Sequence, residues 1–243
     1  MKLFLLLSTF LVSALTANMP ARFKKCNYKD NVCLKDSLQD ALGKISKGVP
    51  ELKVPSIDPL VVPELVVPAG SGIIKCVQHY KNLSLLGICS HKVANFTFDL
   101  EKGKLQLDAT FEKISMEGIY QINGNVLVLP VEGNGLFSIR GEKGTTTLSM
   151  DFDTVSDKNE KHIKVKKISL ILRPSHLTLQ FDNLFNGNKM LGDNINKVLN
   201  DNWKDIFNEL GPSYFEAFAQ IIKNSSQIFF DAVPVSELFL DRS

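Results

Sequence analysis

Polar aromatic residues are scarce. One Trp and four Tyr stand against sixteen Phe in the 243 residues. Trp and Tyr carry a hydrogen-bonding edge and Phe does not, so a core or cavity built from these rings has few polar handles. Net charge is nearly absent: 28 Lys and Arg against 26 Asp and Glu leave +2. That balance gives no electrostatic reason to expect nucleic acid or an anionic membrane as partner. Beyond the first 17 residues no apolar run approaches the ~18 residues of a membrane-spanning helix, so stable membrane insertion is not expected. Signatures of catalysis are missing too. No Gly-x-Ser-x-Gly elbow occurs. Gly133-x-Gly135 begins a dinucleotide-like pattern, but Ser138 stands where the third Gly belongs and no helix follows, so it reads as a hairpin turn. His162 and His176 stand among strand residues with no Ser or Cys motif beside them. Neither an enzyme nor a cofactor is expected.

What is present begins with a leader. Lys2 is a short basic region, residues 3–15 are apolar, and Ala14, Thr16 and Ala17 form a small-residue cleavage zone. Residues 1–17 read as a signal peptide and residues 18–243 as a single domain, secreted into extracellular fluid. Losing Lys2 takes the formal charge from +2 to +1. Three glycosylation sequons agree with export: Asn82-Leu83-Ser84, Asn95-Phe96-Thr97 and Asn224-Ser225-Ser226.

Four cysteines follow the leader. Cys26 and Cys33 are close, and the polar residues between them can turn. An oxidising compartment favours a bond there, worth about 2–3 kcal/mol. Cys76 and Cys89 have an odd separation, so on one straight strand they face opposite sides. They bridge only if a turn or bulge intervenes near Lys81-Asn82 or Gly87. Cys76-x2-His79 with Cys89-x-His91 has zinc's ligand types. The spacing is irregular and the segment reads as strand, which favours a disulfide or two buried thiols over a metal.

Asp30 can cap a helix over residues 32–47, with Leu34, Leu38, Ala41, Leu42 and Ile45 as one apolar stripe and Gly48 ending it. The stripe is narrow, which places this helix on a surface. Pro50, Pro55, Pro59, Pro63 and Pro68 then punctuate an apolar extended arm lying along the body. Strand patterns follow at 93–100, 104–111, 116–122, 126–131, 136–139, 146–155, 163–172 and 177–181. The turns between them are Glu101-Lys102-Gly103, Asn123-Gly124-Asn125, Glu132-Gly133-Asn134, Glu142-Lys143-Gly144 and Asp157-Lys158-Asn159. Short turns imply an antiparallel meander, and one apolar face implies one wet face. Asp151, Asp153 and the run Lys158, Lys161, Lys164, Lys166 and Lys167 read as solvated strand faces. From 189 to 231 the period becomes helical, with a break or kink at Gly211-Pro212. A long sheet with one greasy face and a long greasy helix have one obvious solution: α+β, with the sheet curled around the helix.

Several ordered motifs carry a resemblance over nearly the whole mature chain, roughly from Cys26 to Leu240. They are Cys26-x6-Cys33, Gly48-Val49-Pro50-Glu51-Leu52 with Ile57-Asp58-Pro59-Leu60, Met116-Glu117-Gly118-Ile119-Tyr120 with the run from Gly124 to Gly135, and Leu199-Asn200-Asp201-Asn202-Trp203, closing at Val233-Pro234. In this order the chain resembles the takeout and haemolymph juvenile-hormone-binding protein family of insects. Cys76 and Cys89 are outside that family's pattern. The resemblance implies a strongly curved antiparallel β-sheet wrapped around a long C-terminal α-helix, as in tubular lipid-binding proteins. It also implies an internal apolar tunnel for juvenile-hormone-like terpenoids or fatty-acid-like lipids.

Parity and period give the candidate ligand-binding residues: Leu107, Phe111, Tyr120, Phe137, Phe152, Phe181, Phe215, Phe218 and Ile222. Tyr120 is attractive because its hydroxyl can fix a polar ligand head in an apolar wall. The Cys26–Cys33 loop and the first helix are placed to gate one end. Two readings follow. One is a monomeric carrier of a small hydrophobic ligand. The other is a secreted signalling protein of the same fold, with a circadian, feeding or chemosensory output and a merely structural lipid.

Overall fold

The computed structural model describes residues 18–70, 72–157 and 160–240. The signal peptide read at 1–17 lies outside the described residues, as do Lys158 and Asn159 of the last expected turn.

Helix α1 (Asn31–Leu42) starts where its cap predicts: the Cys33 N–H donates to the Asp30 carboxylate at 2.9 Å. It stops five residues before the expected end at 47. Gly43 ends it, and the Lys44 and Ile45 N–H groups turn back to the Ala41 carbonyl. Glycine mid-stripe weakens helix enough for the turn to win.

Six strands form one antiparallel sheet: β1 (Leu60–Val67), β2 (Ile74–Leu86), β3 (Lys92–Asp99), β4 (Lys104–Val126), β5 (Leu129–Asp157) and β6 (Glu160–Phe181). The order is β1-β2-β4-β5-β6, and β3 shares the same side of β4 as β2. β2 pairs with residues 115–126 of β4, and β3 with residues 104–110. The proline-rich arm is the edge strand β1. Pro63 has no N–H to donate, and an edge tolerates that; the register passes over it from Val62↔Leu83 to Glu64↔Lys81.

The strands are fewer and longer than the turn residues predict. Glu101-Lys102-Gly103 does reverse the chain, with Asp99 accepting from the Glu101 and Lys102 N–H groups. The triplets at 123–125, 132–134 and 142–144 do not: they lie within β4 and β5, whose pairing resumes on both sides of the one unpaired residue, Lys143. Lys143 takes φ 41° between the pairs Glu142↔His176 and Gly144↔Pro174. Such irregularities bend a long strand without ending it, as a sheet that curls requires.

Helices α2 (Lys189–Asp201) and α3 (Trp203–Ala232) follow, and α4 (Val235–Leu238) closes the described chain. α3 has 30 residues, about 45 Å at 1.5 Å each. The expected break at Gly211-Pro212 is absent; helix continues through Pro212 and the break falls at Asn202. There the side-chain and backbone N–H groups of Asn202 both return to the Val198 carbonyl and terminate α2. Pro212 removes one helical N–H, and Asn208, one turn earlier, is exposed, so water can serve its carbonyl. Gly211 lies beneath the Phe207–Phe215 ring pair, whose centroids are 5.7 Å apart.

The helices close the open edge at β6 with side-chain amides. Asn196 donates to the Phe181 carbonyl and accepts from its N–H, both at 2.9 Å. Asn200, one turn on, does the same for Leu179. Gln227 accepts from Val165 N–H and donates to the Ile163 carbonyl. The groups that would otherwise invite another strand are thereby satisfied. Among the described residues no helix is long and apolar enough to cross a membrane.

Candidate ligand cavity

The curved sheet and α3 enclose a cavity of about 700 Å³. Ligand sites of small molecules run roughly 300–1,000 Å³. Its wall follows one face of α3 from Trp203 to Phe230, roughly 40 Å at the helical rise, so it is elongated. A core containing Tyr80, Tyr120, Phe137 and Leu199 stands at one end; a second, with Phe98, Phe152, Ile163 and Val233, stands at the other.

Leu107, Phe181, Phe215, Phe218 and Ile222 line this cavity. Phe111, Tyr120, Phe137 and Phe152 are buried behind the wall. Phe152 stacks on Phe98 at 5.2 Å, and Phe111 packs against His91 at 5.4 Å. Tyr120 sits among Phe137 and Phe181, and its hydroxyl donates to the Asp182 carbonyl at 2.6 Å. Burial, then the nearby Asp182, pushes that phenol up to about 12. Gly133 and Gly135 belong to the same arrangement. A Cβ on Gly133 would lie 2.7 Å from the Tyr120 hydroxyl, and one on Gly135 2.6 Å from the Asp182 carbonyl. The Gly-x-Gly pattern is therefore a close-packing device inside β5, not a hairpin turn.

The first helix, expected as a gate at one end, supplies a wall of the cavity. Leu34, Leu38, Ala41, Leu42 and Ile45, the stripe assigned to a surface, all face the cavity. α1 is stitched to the sheet beside them: the Gln39 amide donates to the His91 carbonyl and accepts from Val93 N–H, and Asn31 accepts from Phe98 N–H. The Cys26–Cys33 disulfide joins α1 to a segment whose Cys26 carbonyl accepts from Leu240 N–H at 3.0 Å.

Cys76 and Cys89 are free thiols. Asn82, at φ 49°, and Gly87, at φ 91°, supply the irregularities that bridging needed, but they send Cys89 into a short turn whose N–H is held by Asp58. Burial, followed by Asp58, pushes the Cys89 thiol up to about 11. The imagined zinc ligands divide, with Cys76 facing in and His79 out. His162 is a core residue whose Nδ1 lies 3.0 Å from the Phe230 carbonyl, and His176 packs edge-on to Trp203. All three sequon asparagines, Asn82, Asn95 and Asn224, are exposed.

Two polar clusters reach the cavity. His91 bonds Thr146 through Nε2 at 2.9 Å and the Gly87 and Ile88 carbonyls through Nδ1. Burial holds its imidazole below the usual value, outweighing those bonds. The unfolded chain therefore takes up this proton first, at about 6.5. Stability linked to His91 is full above that pH and falls as pH drops towards the lower folded value. Thermal melts from pH 7.5 to 5 should show the native protein losing Tm more steeply than His91→Gln; parallel slopes would contradict this.

The second cluster joins Gln78, Tyr80 and Tyr214. Gln78 and Tyr214 line the cavity, and Gln78 is only 5% exposed. The Tyr80 and Tyr214 hydroxyls reach the Gln78 Oε1 at 2.8 and 2.6 Å and lie 2.6 Å from each other.

Comparison with known proteins agrees with this architecture. A sequence model of the haemolymph juvenile hormone binding protein family matches residues 4–240. The circadian clock-controlled protein daywake of Drosophila melanogaster is 26% identical over 231 residues, covering 90% of this chain and 88% of that protein. The juvenile hormone-binding protein of Manduca sexta is 34% identical over 87 residues, covering 36% of this chain and 38% of that protein. The crystal structure of Takeout 1 from Epiphyas postvittana superposes with a TM-score of 0.81 at 27% identity, covering 89% of this chain and 99% of that one. The match along almost the entire chain, on the same curved sheet and long helix, means that this chain belongs to the haemolymph juvenile hormone binding protein family, a family of binding proteins.

Proposed function

We propose that residues 18–243 act as one domain, a secreted monomeric carrier that holds a small hydrophobic molecule, terpenoid or fatty-acid-like, in the cavity. The carrying observation is the elongated cavity of about 700 Å³ with an overwhelmingly apolar wall. Apolar surface entering it gains about 25 cal/mol per Å², so no reaction or cofactor is needed for tight binding. The disulfide supports an extracellular setting, and the exposed sequons support glycosylation there. The name of the Manduca sexta relative supports the terpenoid class. Leu107, Phe181, Phe215, Phe218 and Ile222 are our candidates for direct contact.

The single tryptophan, Trp203, lines the cavity and reports on it. Titrating delipidated protein with a long-chain terpenoid ester should shift its emission and saturate at one ligand per chain. No change with any long-chain apolar compound would sink the proposal. The daywake relatives, named for circadian control, favour the second reading of a signalling protein. That reading predicts that delipidation and rebinding leave ligand exchange irrelevant to the biological output.

A further inference from the structure

Strand direction alternates through β1-β2-β4-β5-β6, so the β1–β2 connection, the β4–β5 turn and the exit of β6 towards α2 fall at one end of the sheet. That end is almost without charge. Residues 65–74, 118–131 and 183–188 hold no Asp, Glu, Lys or Arg. The Glu209 carboxylate enters from α3, but the Gly72, Ile73 and Ile74 N–H groups occupy it. Lys75 and Glu132 border the two hairpins with opposite signs. The β4–β5 turn closes on the pair Val126↔Leu129, with Leu127 and Val128 as its central residues. Two-residue hairpin turns favour Asn, Asp or Gly there. Leu127 instead holds φ 56°, a conformation that disfavours a leucine. It packs against the first core, which accounts for it. Val128 has no such reason. It is 88% exposed, the most exposed large apolar side chain among the described residues. Leu129 beside it, Val66 near the end of β1, and Met190 and Leu191 at the start of α2 are exposed as well.

A single apolar side chain on a surface is ordinary, but several from three chain segments at one charge-poor end mark a contact site. We propose that this end is a docking surface for an electrically neutral phospholipid bilayer. Val128 and Leu129 enter the boundary between headgroups and acyl chains, and the exposed amides of Asn123 and Asn125 lie among the headgroups. Two features select lipid over protein. The apolar residues sit on a turn and a helix start, which form a projecting tip. Such a tip cannot bury the ~800 Å² per partner of a stable protein contact, whereas interfacial docking needs apolar side chains reaching only about 5–10 Å inward. The missing charge also lowers the cost of leaving water and gives anionic lipid nothing to attract. Asn82, Asn95 and Asn224 stand outside these segments, so glycans on them leave the end clear. Val126 and Val131, on either side of the turn, line the cavity, so docking brings one end of the cavity to the lipid. The proposal goes beyond the carrier reading and does not rest on it.

The test is sedimentation of delipidated protein with sucrose-loaded vesicles of phosphatidylcholine, and of phosphatidylcholine mixed with phosphatidylserine. The wild type should partition onto both within about threefold of each other and stay bound in high salt, since no screened charge is involved. Val128→Asp should lower the partition coefficient at least about 10-fold, because it removes buried apolar area and adds a charge. Val128→Trp should raise it, and the added indole should shift its emission to the blue on vesicles, a shift absent from the wild type. Val128 faces water, so thermal melts of both variants should match the wild type. Equal sedimentation of wild type and Val128→Asp overturns the proposal. Binding only to the anionic vesicles, lost in salt, overturns it too, as does no binding to either. A wild-type dimer that Val128→Asp makes monomeric would assign the end to a second copy and overturn it as well. Each of these outcomes leaves the carrier reading to the Trp203 titration, which fails or succeeds separately.

Discussion

Ile222→Trp will shorten the cavity and discriminate between ligands by length. Ile222 lies on the α3 face that lines the wall, beside Phe218 and towards the end marked by Phe229 and Phe230. The larger ring projects into space that a long ligand must share. Each methylene displaced loses about 0.8 kcal/mol of burial, so excluding four loses about 3 kcal/mol, on the order of a 100-fold loss of affinity. A ligand short enough to remain at the Trp203 end loses little. Stability should hold or rise, since filling empty apolar space adds contacts. A homologous series of chain lengths, titrated into both proteins, gives the answer. Equal weakening at every length would mean that Ile222 is core, and that the cavity does not extend past it.

Opening the Cys26–Cys33 bond should act on ligand exchange more than on the fold. Closing so short a loop contributes about 2–3 kcal/mol by the chain-entropy argument. Its structural position matters more. Cys26 is fixed to the C-terminal segment through Phe239 and Leu240, and the bond transmits that fixture to the first turn of α1. No residue of α1 is itself fully buried, and the side chains of Gln39 and Asn31 hold the helix to β3 and to His91 just before it. A wall segment held by so few buried contacts opens at low cost. Replacing both cysteines by serine should speed ligand release at least about 10-fold, while the unfolding transition moves by no more than the loop-closure term. A lower Tm with an unchanged release rate would reduce the bond to a staple.

The architecture was legible because its two periods are strong. Alternation at Leu105, Leu107, Ala109 and Phe111 and the change to helical spacing after residue 189 need only the repeat of side-chain direction. Strand number was less legible. Gly124, Gly133 and Gly144 look like turn residues in isolation, yet the structure uses them where neighbouring backbone or the Tyr120 hydroxyl comes within 3 Å of a would-be Cβ. Nothing local separates a glycine that turns from one that makes room. The proline at 212 misled for a related reason: its missing N–H matters little where the residue one turn earlier, Asn208, is exposed and water can serve its carbonyl.

The cavity wall was half legible. Period places a residue inward, but inward residues divide between packed core and open space according to what stands opposite. Tyr120 and Phe137 meet other rings; Phe218 and Ile222 meet the cavity. The α1 stripe was visible as residues 34, 38, 41, 42 and 45 and its helix was placed at one end, but how far it extends along the wall was not legible, because a narrow stripe suits a core and a lid equally. Gln78 gave one faint signal: a polar residue at an inward position of an alternating strand. Its meaning depends on Tyr214, 136 residues away.

The most direct test of the account is native mass spectrometry of the protein purified from its source without denaturation. A hydrophobic-ligand carrier should show one compound per chain, released by organic solvent and restored on readdition. Chains that carry nothing, and take up nothing after extraction, would contradict it.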